Sequence, residues 1–545
     1  MTTVASSTPA VRRKTAPRAA KEAAAGPVPS RVPLPATPFL KLYAWNRWRT
    51  LASQDAVEAQ RRELLKLVRR AELTRFGKDH DFAGIRSVAD YQTRVPLRTY
   101  GQLWDQYWKD AFPALADCTW PGTMPYHAVS SGTSTGKVKY IPCSMEMVKS
   151  NKRAALDIFV HHLRNRPQSR VFDGKSFVLG GSTDLKEQAP GVYSGDISGI
   201  AAKNVPWWIR RWYFPPRSVT YLTDWEEKIE CLAPLALNED IRFISGAPGW
   251  LTLLFERLLS LAPEGRRRIA DIFPDLELIT HGGVSFAPYR KRFEAMIEGS
   301  RAELREVYPA SEGFVAVADR GPGEGLRLIA DNGLFYEFIP VDEIGRADAK
   351  RHWLGTIETG VDYAIVLTTC AGLWSYVIGD VVRFVDRSPT RLIITGRTSY
   401  MLSSFGEHLT GELVETCVLA AADSISAEVT EFSVGTRFGE SGSGELGHHV
   451  YIVEFTGGVP DPARVEAFRN AIDRELATRN EDYEERRAIA TGLGAPEVCA
   501  VPSGSFAQWM KGRGKLGGQN KVPRVISDAK LLAGLLEFAG GPCRL

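Results

Sequence analysis

Nothing in this 545-residue sequence provides a run of about 18 apolar residues, so no segment reads as a membrane-crossing helix. It also lacks the apolar stretch of a secretory signal near its start. Cysteine is scarce: the seven (Cys118, Cys143, Cys231, Cys370, Cys417, Cys499 and Cys543) are scattered and form no C-x-x-C pair. That pattern excludes a zinc knuckle and a disulfide framework, and it points to a reducing, cytoplasmic setting. Acid is nearly missing from the first 35 residues, where Arg12, Arg13, Lys14, Arg18, Lys21 and Arg31 face only Glu22. That segment therefore carries +5 against a whole-chain +4, which leaves the remainder near −1 and gives no general case for a nucleic-acid partner. The same segment has no aromatic residue and is rich in Ala, Pro, Ser and Thr, so residues 1–36 read as a disordered leader. Its arginines and shortage of acid resemble a transit peptide, but the amphipathic period is missing.

Hydrophobic residues make up 44% and charged residues 24%, a balance that suits a globular protein with a sizeable core. The length exceeds one ordinary domain, and the pattern divides near Gly396-Arg397. Before that point apolar strands alternate with amphipathic helices, which predicts a layered α/β domain over residues 37–397. Val57, Leu64, Leu65 and Val68 place one helix early; Ala155, Ile158, Phe159 and His162 place another, with Ser144 as its N-cap. Pro248 opens a helix whose stripe is Leu251, Leu254, Phe255 and Leu258. Strands are expected at Phe177–Leu179, ending in Gly180-Gly181, and at Leu276–Thr280, running into His281-Gly282-Gly283. Beyond 397, strands at Glu431–Phe438 and Val450–Phe455 precede a helix that starts at Asp461-Pro462 and carries Val465, Phe468, Ile472 and Leu476. Residues 398–545 thus read as a smaller, mobile α+β domain.

The strongest chemical signal is Ser130-Ser-Gly-Thr-Ser-Thr-Gly-Lys137. Glycines let backbone N–H groups turn toward an anion, hydroxyls add donors and lysine adds charge, so the loop suits the phosphates of ATP. It is not a Walker A loop: three residues rather than four separate Gly132 from Gly136-Lys137, and Val138 stands where a magnesium-binding hydroxyl would be.

The loop resembles that of acyl-adenylate-forming enzymes, in particular the Gretchen Hagen family of acyl acid–amido synthetases. Further stretches carry the resemblance in order. They are Tyr308-Pro-Ala-Ser-Glu312, Gly333–Pro340 with Asp342-Glu343, Thr368–Asp380, then Asn480, Asp482, Tyr483 and Arg486, and finally Gly518–Arg524. The resemblance implies that Ser130, Ser131, Gly132 and Thr133 hold phosphates, that Tyr308 lies against adenine and that Ser311 contacts the α-phosphate. It implies Glu312 as a magnesium ligand and catalytic residue, Asp380 as ribose acceptor, Arg397 at a hinge and Lys521 as a mobile cation during adenylation. The implied reaction joins a small carboxylic acid to an amino acid, using ATP and Mg2+. Coenzyme A as acceptor is the runner-up, and a catalytically inactive nucleotide-binding module is the reading from another class. In the ribose stretch, Ser375 and Val377 replace arginines usual in the family.

Other residues invite weaker readings. The adjacent pairs His161-His162 and His448-His449 point in different directions and suit packing better than metal binding. His281 is either a buried, satisfied histidine or a catalytic one. Trp207, Trp208 and Trp212 belong either to the core or to an acyl pocket.

Overall fold

The computed structural model describes residues 35–131, 138–222, 225–283, 286, 289–346, 348–398, 402, 405, 407, 409–438, 446–488, 493–513, 522–526 and 528–540. Most of the expected leader, the loop 132–137 and Lys521 therefore lie outside the described residues.

A 12-stranded sheet forms the backbone of the larger body. On one side, Tyr213–Phe214, Lys175–Val178, Ile241–Gly246, Leu278–Gly282 and Glu303–Ala310 run parallel. Such strands need cover on both faces. Helix Met145–Asn165 supplies one face, packing Ala154, Ile158 and Phe159 against Phe243, Leu278 and Val307. Helices Trp225–Ala236 and Pro248–Leu261 supply the other, where Leu251, Leu254, Phe255 and Leu258 are fully buried. From Glu303–Ala310 onward the sheet becomes antiparallel through Gly313–Val317, Leu326–Leu328, Thr390–Arg397, Tyr376–Arg387, Asp362–Thr369, Leu334–Pro340 and His352–Trp353.

Local rules account for the helix starts. Ser144 accepts from Met147 N–H, Pro248 sits in the first turn, and Asp461 accepts from Arg464 N–H ahead of Pro462. Two expectations change. In helix Ala56–Ala71 the buried stripe is Ala59, Gln60, Leu64, Leu67, Val68 and Ala71, while Val57 is exposed and Leu65 only half-buried. Gln60 is buried because its amide donates to Ala330 O and Leu334 O and accepts from Tyr336 N–H, a satisfied polar group that hydrophobic periodicity does not reveal. Second, Cys118, Cys143, Cys231, Cys370 and Cys417 are free, whereas Cys499 is in a disulfide. Pairing depends on how close two cysteines come in space, which their spacing in sequence does not show.

The smaller C-terminal body is a four-stranded sheet in the order Glu497–Val501, His448–Phe455, Val429–Arg437, Val525–Ile526. Helices Gly411–Ser424 and Pro462–Arg479 bury one face, with Val418, Phe468, Ile472 and Leu476 in that core. Helices Ser505–Gly512 and Ala529–Phe538 cover the other. No described helix is long and apolar enough to cross a membrane.

Candidate active site

The carboxyl ends of parallel strands, where a sheet opens toward its crossovers, are where α/β folds bind ligands. Here Val178, Gly246, Gly282 and Ala310 end four such strands, and all four line a single cavity of about 2420 Å3. The smaller body contributes another wall of it, including Glu412, Glu415, Glu428, Glu431, Glu454 and Arg524.

Strand Glu303–Ala310 and its antiparallel partner Gly313–Val317 are joined by a two-residue turn, Ser311-Glu312. The turn thrusts both side chains into the cavity, although each residue is under a tenth exposed. Tyr308 Oη donates to Asp380 Oδ2 at 2.6 Å. Asp380 Oδ1 is 2.8 Å from Arg397 Nε, its cross-strand neighbour in register. Three strands separate Asp380 from Tyr308 in the sheet order, so the antiparallel half curls back to close this contact. Burial first, and the Asp380 charge second, push the Glu312 carboxyl up to about 7. The same two causes raise the Tyr308 hydroxyl well above its ordinary value. Glu312 makes no ion pair among the described residues, and in a walled cavity such a carboxylate suits a hard divalent cation.

The structure thus brings Ser130, Tyr308, Ser311, Glu312, Asp380 and Arg397 to one cavity. Strands Tyr126–Ser131 and Val138–Cys143 pair with Ser131 opposite Val138, so the phosphate-loop candidate is the connection of a hairpin. Ser131 is described only in its backbone; Gly132, Thr133 and Lys521 lie outside the described residues.

The replaced arginines find a physical explanation at one position. Ser375 is fully buried at φ 43, and its Oγ lies 2.8 Å from Glu337 Oε2 and 3.0 Å from Tyr91 Oη. Arg351 reaches in from the neighbouring chain segment, donating to Ser375 Oγ at 2.8 Å and to both Glu337 oxygens. A guanidinium therefore already pairs Glu337, and the space at 375 takes only a hydroxyl. Nothing in the structure explains Val377.

His161 and His162 are packing residues, the first edge-on to Trp48 and the second bridging Glu303 and Ser169. His448 pairs with Glu497 and His449 with Glu407, and no metal-holding cluster of three occurs among the described residues. Trp212 is buried, Trp208 is exposed yet lines the cavity, and Trp207 is 80% exposed and does not line it. His281 is buried and stacked on Phe286, with ring centroids 3.9 Å apart; burial pushes it down to about 3.

Sequence reasoning missed three cavity residues. Lys228 is buried, its ammonium donating to Gly180 O and Gly181 O at 2.9 and 2.8 Å, and burial pushes it down to about 8. Lys139 lines the cavity beside Ser130. Tyr289, at the start of helix Arg290–Met296, donates to Glu431 of the smaller body at 2.7 Å. No motif pointed to Lys228 or Tyr289, because each acts through a contact distant in sequence.

Comparison with known proteins gives a consistent result. The chain matches the models of the GH3 family N-terminal domain at residues 48–187 and 182–302, central domain at 327–397 and C-terminal domain at 412–530. A jasmonoyl–L-amino acid synthetase of Nicotiana attenuata, JAR4, is 23% identical over 548 residues, 88% of this chain and 92% of that protein. An indole-3-acetic acid-amido synthetase of Arabidopsis thaliana, GH3.3, is 25% identical over 238 residues, 42% of this chain and 39% of that protein. Among solved structures, the GH3.15 acyl acid amido synthetase superposes with a TM-score of 0.73 at 18% identity, covering 93% of this chain and 97% of that one. A 2-hydroxyisobutyryl-CoA ligase in its postadenylation state gives 0.56 at 14% identity, covering 88% and 90%. At these identities the structural likeness shows a shared fold.

Proposed function

Since this chain belongs to the GH3 family, matching its N-terminal, central and C-terminal domain models, we propose that it is an ATP-dependent acyl acid–amido synthetase. It adenylates a carboxylic acid, releasing pyrophosphate, and then passes the acyl group to the amine of an amino acid, releasing AMP. The observation that carries this reading is the linked chain Tyr308–Asp380–Arg397 lining the cavity, with Glu312 at the tip of the adjoining turn, at the carboxyl ends of the parallel strands.

A carboxylate is a poor electrophile, and attack on the α-phosphate of ATP converts it to a mixed anhydride. Negative charge builds on phosphoryl oxygens as the bond forms, so fixed donors and cations lower the barrier. Ser130, Ser131, Gly132 and Thr133 hold the terminal phosphates, Ser311 the α-phosphate, and Asp380 the ribose hydroxyls, with Tyr308 against the base. Glu312 fits Mg2+, which when bound neutralises phosphate charge. Lys521 brings a further positive charge from the small domain. The domain division falls at 397, with residues 37–397 and 398–545 moving about Arg397 between the two half-reactions. The site of action is the cytoplasm.

For the acceptor, the name of the jasmonoyl relative specifies an L-amino acid, and that of the indole-3-acetic acid relative an amide. The cavity wall from the small body is rich in glutamate, with Glu412, Glu415, Glu428, Glu431 and Glu454 beside Arg524, which favours an ammonium group there. Pyrophosphate release, measured with ATP and Mg2+ across aryl, indolyl, jasmonate-like and fatty acids, tests the proposal. Each acid is run alone, with pooled amino acids and with coenzyme A. Acid-dependent release accelerated by amino acids, with an amide formed, is the expected result. Acceleration by coenzyme A alone would make the protein a thioester-forming ligase, and nucleotide binding without pyrophosphate would make it an inactive binding module.

The posture of the small body depends on Tyr289, which bonds Glu431; Arg524 pairs with the same carboxylate at 2.5 Å. Tyr289→Phe removes a hydrogen bond to a charged group, and the balance of domain postures shifts by roughly tenfold toward separation. Small-angle scattering and proteolysis near 398 report the shift, and unchanged profiles count against the latch.

A further inference from the structure

Helix Thr37–Ala52 turns Thr37, Ala44, Arg47 and Leu51 inward, where Arg47 pairs with Asp157 and Asp331. Its outer face carries Phe39, Leu42 and Trp45 at successive three-residue steps, all exposed, with the Arg49 guanidinium 5.0 Å from the centre of the Trp45 ring. Apolar side chains scattered singly over a surface need no explanation, but a grouped set does. Phe39 is 79% exposed and still lines the large cavity, so it stands at the mouth. Trp208 is 57% exposed and lines the cavity too, next to the exposed Trp207. Two links hold these aromatics on one rim. Phe172 bonds through its backbone to Ala36 N–H and the Thr37 hydroxyl, and the strand after it pairs Ser176 with Tyr213, which directly follows the 3-10 helix Trp207–Trp212.

The charge of this rim is as one-sided as its apolar surface. No Asp or Glu occurs between Glu22 and Asp55 or between Asp196 and Asp224, stretches that hold Arg31, Lys41, Arg49, Lys203, Arg210 and Arg211. The carboxylates behind the rim are already taken, Asp157 and Asp331 by Arg47 and Asp173 by Arg170. The basic leader runs straight into the helix, while the remainder of the chain is near −1.

We propose that the mouth of the cavity docks on an anionic lipid bilayer. Phe39, Leu42, Trp45, Trp207 and Trp208 enter the headgroup layer, and the basic residues meet the lipid phosphates. Tryptophan suits that boundary, because its ring is apolar and its N–H still finds a polar partner. One apolar face or one basic segment alone holds a protein only marginally to a membrane, and the two together hold it firmly. A second copy of this chain on the same face would set like charge against like. Docked this way, the cavity opens onto the lipid, and an acid with a long apolar chain enters without crossing water. That consequence rests on the ligase reading; the docking itself does not.

The full chain, without nucleotide or acid, is co-sedimented with phosphatidylcholine vesicles with and without about one-third phosphatidylglycerol. Affinity is about tenfold or more higher for the anionic vesicles and falls as salt rises. Brominated lipid quenches the tryptophan fluorescence of the parent protein as the rings enter the bilayer. The triple variant Leu42→Ser, Trp45→Ser, Trp207→Ser, at positions that do not line the cavity, binds about tenfold more weakly with an unchanged Tm. Arg49→Glu narrows the preference for anionic lipid. Equal binding to both vesicles, or no quenching in the parent, overturns the docking and leaves the ligase reading intact. Full binding by the triple variant traces the affinity to the leader alone and likewise overturns it. A dimer that the triple variant abolishes assigns the face to a second copy instead.

Discussion

In metal-free buffer at pH 8, Glu312→Gln is more stable to urea than the parent protein, by about 3 kcal/mol, while with ATP and Mg2+ supplied its adenylation falls about 100-fold. The stability arm follows from the folded-state value near 7 against an ordinary 4.5. A carboxyl whose folded value is raised contributes stability that is intact below about 4.5 and is lost as pH climbs through about 7. The parent therefore loses stability between about pH 4.5 and 7, and the amide, which never ionises, does not. The two proteins converge below about pH 4.5. Equal urea midpoints at pH 8 would mean that the carboxylate is not penalised where it sits. A gain in stability paired with a loss of activity is the mark of a polar group buried for function, with the cation and ATP supplying the missing partners.

Lys521→Ala slows pyrophosphate release about 100- to 1000-fold, the scale of losing one charge-stabilising donor, with acid binding nearly unchanged. Acyl transfer from a chemically prepared acyl-adenylate survives, because the phosphoryl charge builds only in the first half-reaction. An unaffected adenylation rate would remove Lys521 from the mechanism, and loss of both half-reactions would point to a structural role.

What the sequence shows well is what nearby residues determine. Ser144, Pro248 and Asp461 mark helix starts because capping and φ restriction operate within one turn. Short apolar runs likewise mark strands, and those expected at 177–179 and 276–280 appear as Lys175–Val178 and Leu278–Gly282. Contacts that span the sheet are different. Tyr308 and Asp380 meet over 72 positions of sequence because the antiparallel half curls, and curl depends on register and bulges such as that between Val381 and Val382. At Ser375 the sequence shows only a missing arginine, and it takes Arg351, 24 positions away, to supply the guanidinium that pairs Glu337 beside it.

The one continuous sheet also decides where this chain can be cut. Separation near 398 leaves each fragment with all its own strands paired. The largely exposed connection 320–324 looks equally convenient, yet a cut there divides a single ladder between two pieces. Strand Gly313–Val317 would then lose Leu326–Leu328, and each piece would carry a raw edge of unpaired N–H and C=O groups that invites association with other chains. For fragment complementation, tag insertion or circular permutation, the parallel and antiparallel halves therefore count as one indivisible module, and the boundary beyond the sheet is the one to use.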